Sequence, residues 1–124
     1  MVTFACDGTI LLAATLVITN DTVLDATGHQ VTLSGADAVR VLRVQSGAKL
    51  TLRMLRVVRG RAESGAGLYN DGGTAEVFDC EFAHNVARGT NGLFWKLGYR
   101  GNGLGGGLCH TGTIQIISTT FRSN

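Results

Sequence analysis

At 124 residues the chain is long enough to bury one continuous core and too short for two ordinary domains. Glycine fills 18 positions and proline none, a balance that favours many tight turns over a disordered linker. The formal net charge is only +2, and no stretch keeps a helical apolar period beyond a turn or two, which argues against a helical domain and for an all-β one.

The first apolar run, Ile10–Ile18, matches a signal-peptide core in length but lacks the basic flank, because Asp7 precedes it and no Lys or Arg occurs before Arg40. It is also too short to cross a membrane. Thr19-Asn-Asp-Thr-Val-Leu-Asp then resumes a strand-and-turn pattern, so the run reads as the first coils of a soluble chain with no visible export signal. Either a signal has been removed, or the chain is part of a longer solenoid. Asn20-Asp-Thr fits a glycosylation acceptor, which matters only in a eukaryotic secretory pathway.

Seven of the eleven basic residues come next, as Arg40, Arg43, Lys49, Arg53, Arg56, Arg59 and Arg61, with no acid among them. Such a row suits uronate, sulfate or phosphate groups through bidentate guanidinium bonds. The alternative is neutralisation by the acidic segment that follows, with Asp71, Glu76, Asp79 and Glu81.

A unit of roughly twenty-five residues recurs from Leu50 onward. LTLRMLRVVRG (Leu50–Gly60), AEVFDCEFAHN (Ala75–Asn85) and IQIISTTFRSN (Ile114–Asn124) carry apolar residues in matching slots. Leu50, Ala75 and Ile114 share the first slot; Leu52, Val77 and Ile116 the second; Leu55, Cys80 and Thr119 the third; Val57, Phe82 and Phe121 the fourth. Each unit closes on a turn residue, Gly60, Asn85 or Asn124, expected to adopt left-handed dihedrals or to bond backbone groups. Short alternating strands at a fixed period predict a stacked solenoid in which each coil lies over the last at about 4.8 Å. The register sets Arg56 against Glu81 and Phe82 against Phe121. The strands up to about Ile18 are placed to fold over one end, and the last coil is left uncapped, inviting downstream coils or end-to-end association.

An insertion, about residues 88–104, interrupts the second and third units. It holds Leu93-Phe-Trp-Lys-Leu-Gly-Tyr-Arg, in which Trp95 and Tyr99 offer flat faces to sugar rings while Lys96 and Arg100 suit acidic groups. The same apolar cluster also suits packing on the solenoid flank or against a neighbouring subunit. Gly101-Asn-Gly-Leu-Gly-Gly has dinucleotide-loop spacing but no α/β unit around it, so it reads as a turn.

Catalytic signals are sparse. Asp79, Glu81 and His84 fall within six residues and are the candidate proton-transfer groups. No nucleophile elbow or calcium nonapeptide occurs. Cys6, Cys80 and Cys109 lack zinc spacing and do not form a disulfide framework; Cys80 occupies an inward slot as a small hydrophobe, and Cys109 is expected to point outward. No metal or cofactor is implied.

Val2-Thr-Phe-Ala-Cys-Asp-Gly-Thr-Ile, Thr22-Val-Leu-Asp-Ala-Thr-Gly, Leu50-Thr-Leu-Arg-Met-Leu, Gly65-Ala-Gly-Leu-Tyr-Asn and Gly105-Gly-Gly-Leu-Cys-His together resemble the pectin-lyase-like superfamily. The similarity is to its bacterial surface branch with polymorphic-outer-membrane-type repeats. It implies a right-handed single-stranded parallel β-helix over residues 1–124, interrupted by the inserted loop. The superfamily includes lyases, glycoside hydrolases, esterases, adhesins and tailspikes, so fold alone does not give activity. The lyases' Asp cluster and Arg on adjacent coils are missing; Asp79 beside Arg53 comes nearest.

Two functions follow as expectations. The first is a secreted or cell-surface structural module that binds glycans or partner chains, with Trp95, Lys96, Tyr99, Arg100, Arg53 and Arg56 as contacts and a homo-oligomer as its assembly. The second is a small carbohydrate-active or ester-cleaving enzyme acting near Asp79, Glu81, His84 and the insertion. Nucleic acid is not expected as a partner, since its domain signatures are absent.

Overall fold

The computed structural model describes residues 1–88 and 106–124, and every regular element among them is a β-strand. The first sheet holds β1 (Val2–Thr3), β4 (Thr22–Asp25), β7 (Lys49–Arg53), β11 (Thr74–Phe78) and β15 (Thr113–Ile117), in that order. The second holds β2 (Gly8–Leu11), β5 (Val31–Ser34), β8 (Leu55–Val58), β12 (Glu81–Ala83) and β16 (Thr120–Arg122). The third holds β3 (Leu16–Ile18), β6 (Leu42–Val44), β10 (Leu68–Asn70) and β14 (Leu108–His110), and a short pair is formed by β9 (Arg61–Ala62) and β13 (Val86–Ala87). The chain thus visits three sheets in rotation, and each strand pairs in parallel with its counterpart one winding away. The fold is a parallel β-solenoid.

The apolar columns fall where the repeat predicts them. Ala75 pairs with Leu50 and Ile114, Val77 with Leu52 and Ile116, and Phe82 with Val57 and Phe121. Leu50, Leu52, Val57, Val77 and Phe82 are fully buried, each burial contributing about 1.5–3 kcal/mol for a large side chain. The rings of Phe82 and Phe121 stack with centroids 4.9 Å apart and planes 13° from parallel.

The N-terminal strands do not fold across the end of the solenoid. Val2 pairs with Leu24, Ile10 with Leu33 and Leu16 with Leu42, so β1, β2 and β3 add a winding in register. Parallel backbone pairing with the next winding, which continues the register of the interior columns, satisfies the edges of β4, β5 and β6.

The turn chemistry agrees with expectation in that the Asn85 and Asn124 amides bond backbone groups, and differs in where the left-handed residues fall. The left-handed residues are Arg59, His84 and Ser123, each just before the closing Gly60, Asn85 or Asn124, and Met54, Asp79 and Ser118 take the same conformation at the preceding corner. Asn85 is instead fully buried and points inward. Its Oδ1 accepts the Gly60 N–H at 2.8 Å, and its Nδ2 donates to Val57 O at 3.0 Å and to Asn124 Oδ1 at 2.9 Å. Gly60 is required by space rather than by dihedral, because a Cβ there would lie 2.1 Å from the Ala66 carbonyl oxygen. Asn70, also fully buried, donates from Nδ2 to Gly73 O and Thr113 O and accepts from Gly73 N–H. Both amides satisfy buried backbone groups, Asn85 at the corner after β12 and Asn70 at the end of β10.

Candidate functional site

The basic stretch is consumed almost entirely by contacts within the solenoid. Arg43 pairs with Asp71 at 2.7 Å, Lys49 with Glu76 at 3.1 Å, and Arg56 with Glu81 at 2.9 Å, each acid lying one winding on. Arg59 pairs back to Asp37 through Nε at 2.9 Å. Arg40 donates to the Ser64 and Gly65 carbonyls and covers the Tyr69 ring, with its guanidinium carbon 4.8 Å from the centroid. Arg53 lies over Phe78 at 4.6 Å rather than against Asp79. Both arginines singled out as ligand contacts, Arg53 and Arg56, therefore have intramolecular partners.

Asp79 and Glu81 come together, but His84 does not join them. Asp79 forms the corner between β11 and β12, and His84 forms the next corner, beyond β12. The left-handed backbone of both residues recurs at Met54, Ser118, Arg59 and Ser123, so it belongs to the winding and not to chemistry. Glu81 receives Arg122 at 3.1 Å as well as Arg56. Those two guanidinium groups, Arg122 first, hold its carboxyl below the usual range, so it is ionised and engaged and is poorly suited to donating a proton.

The histidine that shares a surface with Asp79 and Glu81 is His29. An open depression of about 330 Å³ runs along the corner between the first two sheets, with Met54, Leu55 and Cys80 among its lining and His29, Arg56, Asp79 and Glu81 as its ionisable groups. Asp7 lies 3.2 Å from His29 Nδ1 and also accepts the Gln30 N–H at 2.9 Å. The Gln30 amide, followed by the imidazole, holds the Asp7 carboxyl below its ordinary value. With Asp7 accepting at Nδ1, the neutral ring carries its free lone pair on Nε2, the arrangement a general base needs. His29 and Asp79 are two windings apart, roughly 10 Å at the usual strand spacing, so they do not act on one proton without a substrate or water between them.

Asp7 and His29 had a faint signal in the sequence. Each sits beside a glycine, in the corners Phe4–Asp7 and Ala26–Gln30, which are longer than the single-residue corner at Met54. His29 and Gln30, in the second of these corners, line the depression. All three cysteines are free: Cys6 is exposed, Cys109 half-buried, and Cys80 buried beneath the depression with its thiol donating to Phe78 O at 3.2 Å. Trp95, Lys96, Tyr99 and Arg100, the contacts assigned to the insertion, lie outside the described residues. Among the described residues no group of three or more His, Cys, Asp or Glu is arranged to hold a metal ion, and no helix is long and apolar enough to cross a membrane.

The fold and this flank define a β-solenoid domain whose outward charges are largely paired between windings. Comparison with known protein families, curated proteins and solved structures finds no match to the chain.

Proposed function

We propose that the chain is a structural and binding module of a secreted or cell-surface protein, contacting glycans or partner chains, and that it belongs with the pectin-lyase-like solenoids bearing polymorphic-outer-membrane-type repeats. The observation that carries this is the state of the last winding. Ile116 and Phe121 continue the columns closed at Val77 and Phe82, yet each is 41 % exposed where Val77 and Phe82 are 0 %. Among the described residues no strand pairs with the outer edges of β15 and β16, and bare apolar side chains beside such edges favour another β-winding laid upon them, from a partner or from the same protein. Trp95, Lys96, Tyr99 and Arg100 supply the glycan contacts in this proposal, on side-chain chemistry alone.

Sedimentation velocity over a range of concentrations tests the assembly. Self-association abolished by Phe121→Asp supports it, and a monomer at every concentration overturns it. A glycan screen tests the ligand: saturable binding without turnover, lost in Trp95→Ala, supports the binding role. Turnover of the glycan overturns it.

The second function, a carbohydrate-active or ester-cleaving enzyme, draws on the Asp7-held His29 sharing a depression with Asp79 and Glu81. It requires hydrolysis or elimination of polysaccharides or simple esters that disappears in His29→Ala. Running His84→Ala alongside tells the two imidazoles apart.

A further inference from the structure

The interior columns are bare at both ends of the solenoid, and their end members match. Val2 heads the column that runs through Leu52 and Val77 to Ile116, and Ile10 the one through Val57 and Phe82 to Phe121. Leu16 heads a third, through Leu42 and Leu68 to Leu108. The inner members are buried, whereas Val2, Ile10 and Leu16 at one end and Ile116 and Phe121 at the other are exposed, with Leu108 half-buried. Among the described residues no strand pairs with the outer edges of β1, β2 and β3, or with those of β14, β15 and β16.

Charge is graded along the same axis. Residues 1–39 hold four acids, Asp7, Asp21, Asp25 and Asp37, and no Lys or Arg. Residues 82–124 hold four bases, Arg88, Lys96, Arg100 and Arg122, and no acid. The terminal amino and carboxylate groups of the 124-residue chain offset one charge at each end without reversing the gradient. Asp7 is exposed in the corner between β1 and β2, and Arg122 is exposed at the end of β16. Arg122 shares its partner Glu81 with Arg56, so one carboxylate serves two guanidinium groups there and the last winding stays cationic.

We infer that the outer edge of β14, β15 and β16 receives the outer edge of β1, β2 and β3 from a second copy of this chain, head to tail along the solenoid axis. This rests on the assembly reading of the last winding and gives it a partner and an orientation. Head-to-tail stacking continues all three columns with parallel strands: Val2 of the second copy falls on Ile116, Ile10 on Phe121 and Leu16 on Leu108. It also sets the acidic end of one copy against the basic end of the other. In the two-fold alternatives like edge meets like edge, the strands run antiparallel across the joint, and acids face acids or Arg122 faces Arg122. A heterologous contact along a straight axis does not close on itself, so copies add in an open series. The same register sets Leu11 of the second copy opposite Arg122, and both residues are exposed.

Sedimentation velocity of edge-blocked variants of the full chain tests it. Wild type is expected to form a series that grows with concentration and does not stop at a dimer. Leu11→Arg, which puts a like charge opposite Arg122, and Phe121→Asp, which spoils the other edge, are each expected to stay monomeric. An equal mixture of the two gives a dimer and nothing larger, because each variant keeps one intact edge. Leu11→Glu, at the same exposed position, associates at least about tenfold more tightly than Leu11→Arg. Val2→Arg and Ile116→Asp are second blocks for the two edges, used where a first variant loses the wild-type circular dichroism. Dimers of Leu11→Arg alone or of Phe121→Asp alone overturn the inference, since they report contacts between like edges. A mixture that stays monomeric overturns it, and so does equal association of Leu11→Arg and Leu11→Glu, which removes the register. In each of those cases wild type still associates and the module function stands. A wild type that is monomeric at every concentration overturns both.

Discussion

The side chain of Asn85 reaches from one winding to the next to accept the backbone N–H of Gly60 at 2.8 Å. With its donations to Val57 O and Asn124 Oδ1, it satisfies polar groups where the strand ladders break at the corner. Water has no access there, since Asn85 is fully buried.

Asn85→Ala removes all three bonds and leaves their partners without the amide. Each buried group left unpaired costs about 1–3 kcal/mol, so a loss of at least about 3 kcal/mol is expected in urea unfolding. Asn85→Asp keeps an acceptor for Gly60 but, when ionised, turns acceptors toward Val57 O and Asn124 Oδ1. A carboxylate buried there has a raised pKa, and the variant accordingly loses stability as pH rises through it.

Phe82 and Phe121 occupy one column but different depths, and truncation separates them. Phe82→Ala empties a closed interior slot and is expected to cost about 3–5 kcal/mol, whereas Phe121→Ala, at a ring 41 % exposed, costs less than half as much. Chemical denaturation of dilute protein measures both. Equal losses would mean that Phe121 is covered in solution.

Acid weakens the solenoid through identifiable carboxylates. Asp7, Asp25, Asp37 and Glu81 all sit below their ordinary values, held by Gln30, Thr27, Arg59 and Arg122 respectively as the leading partners. Groups of this sign stabilise fully above their unfolded values, 3.8 for Asp and 4.5 for Glu, and lose that contribution as pH falls through the lower folded values. The unfolding midpoint is therefore flat near neutrality and declines below about pH 4.5. Glu81→Gln makes the decline shallower while changing neutral stability by only about 0–1 kcal/mol, since its arginine partners are half exposed.

Thiol labelling sorts the three cysteines by environment. Burial pushes the Cys80 thiol up and keeps it protonated beneath the corner. Iodoacetamide followed by mass spectrometry is expected to modify exposed Cys6 quickly, Cys109 more slowly, and Cys80 only on unfolding. Rapid labelling of Cys80 in the native protein would place it outside the interior column.

Much of the candidate flank was hidden in the sequence because winding lengths vary. Arg56 and Glu81 are 25 residues apart and were legible from the repeat, but Arg43 and Asp71 are separated by 28 and Asp7 and His29 by 22. A corner of one residue at Met54 and of five at Ala26–Gln30 shifts the offset each time. No fixed period points to His29 as the partner of Asp7, or to His29 rather than His84 as the neighbour of Asp79.

The columns follow from the repeat pattern alone. Interior slots favour apolar side chains, so Leu52, Val77 and Ile116 announce the winding and its register from their spacing alone. Folding was needed to reveal the charge pairs that fall outside that register, such as Arg43 with Asp71 and Arg59 with Asp37, and to turn Asn85 inward. Burial constrains residue type strongly and locally, whereas an exposed side chain finds its partner through corner geometry that alternating strands do not encode.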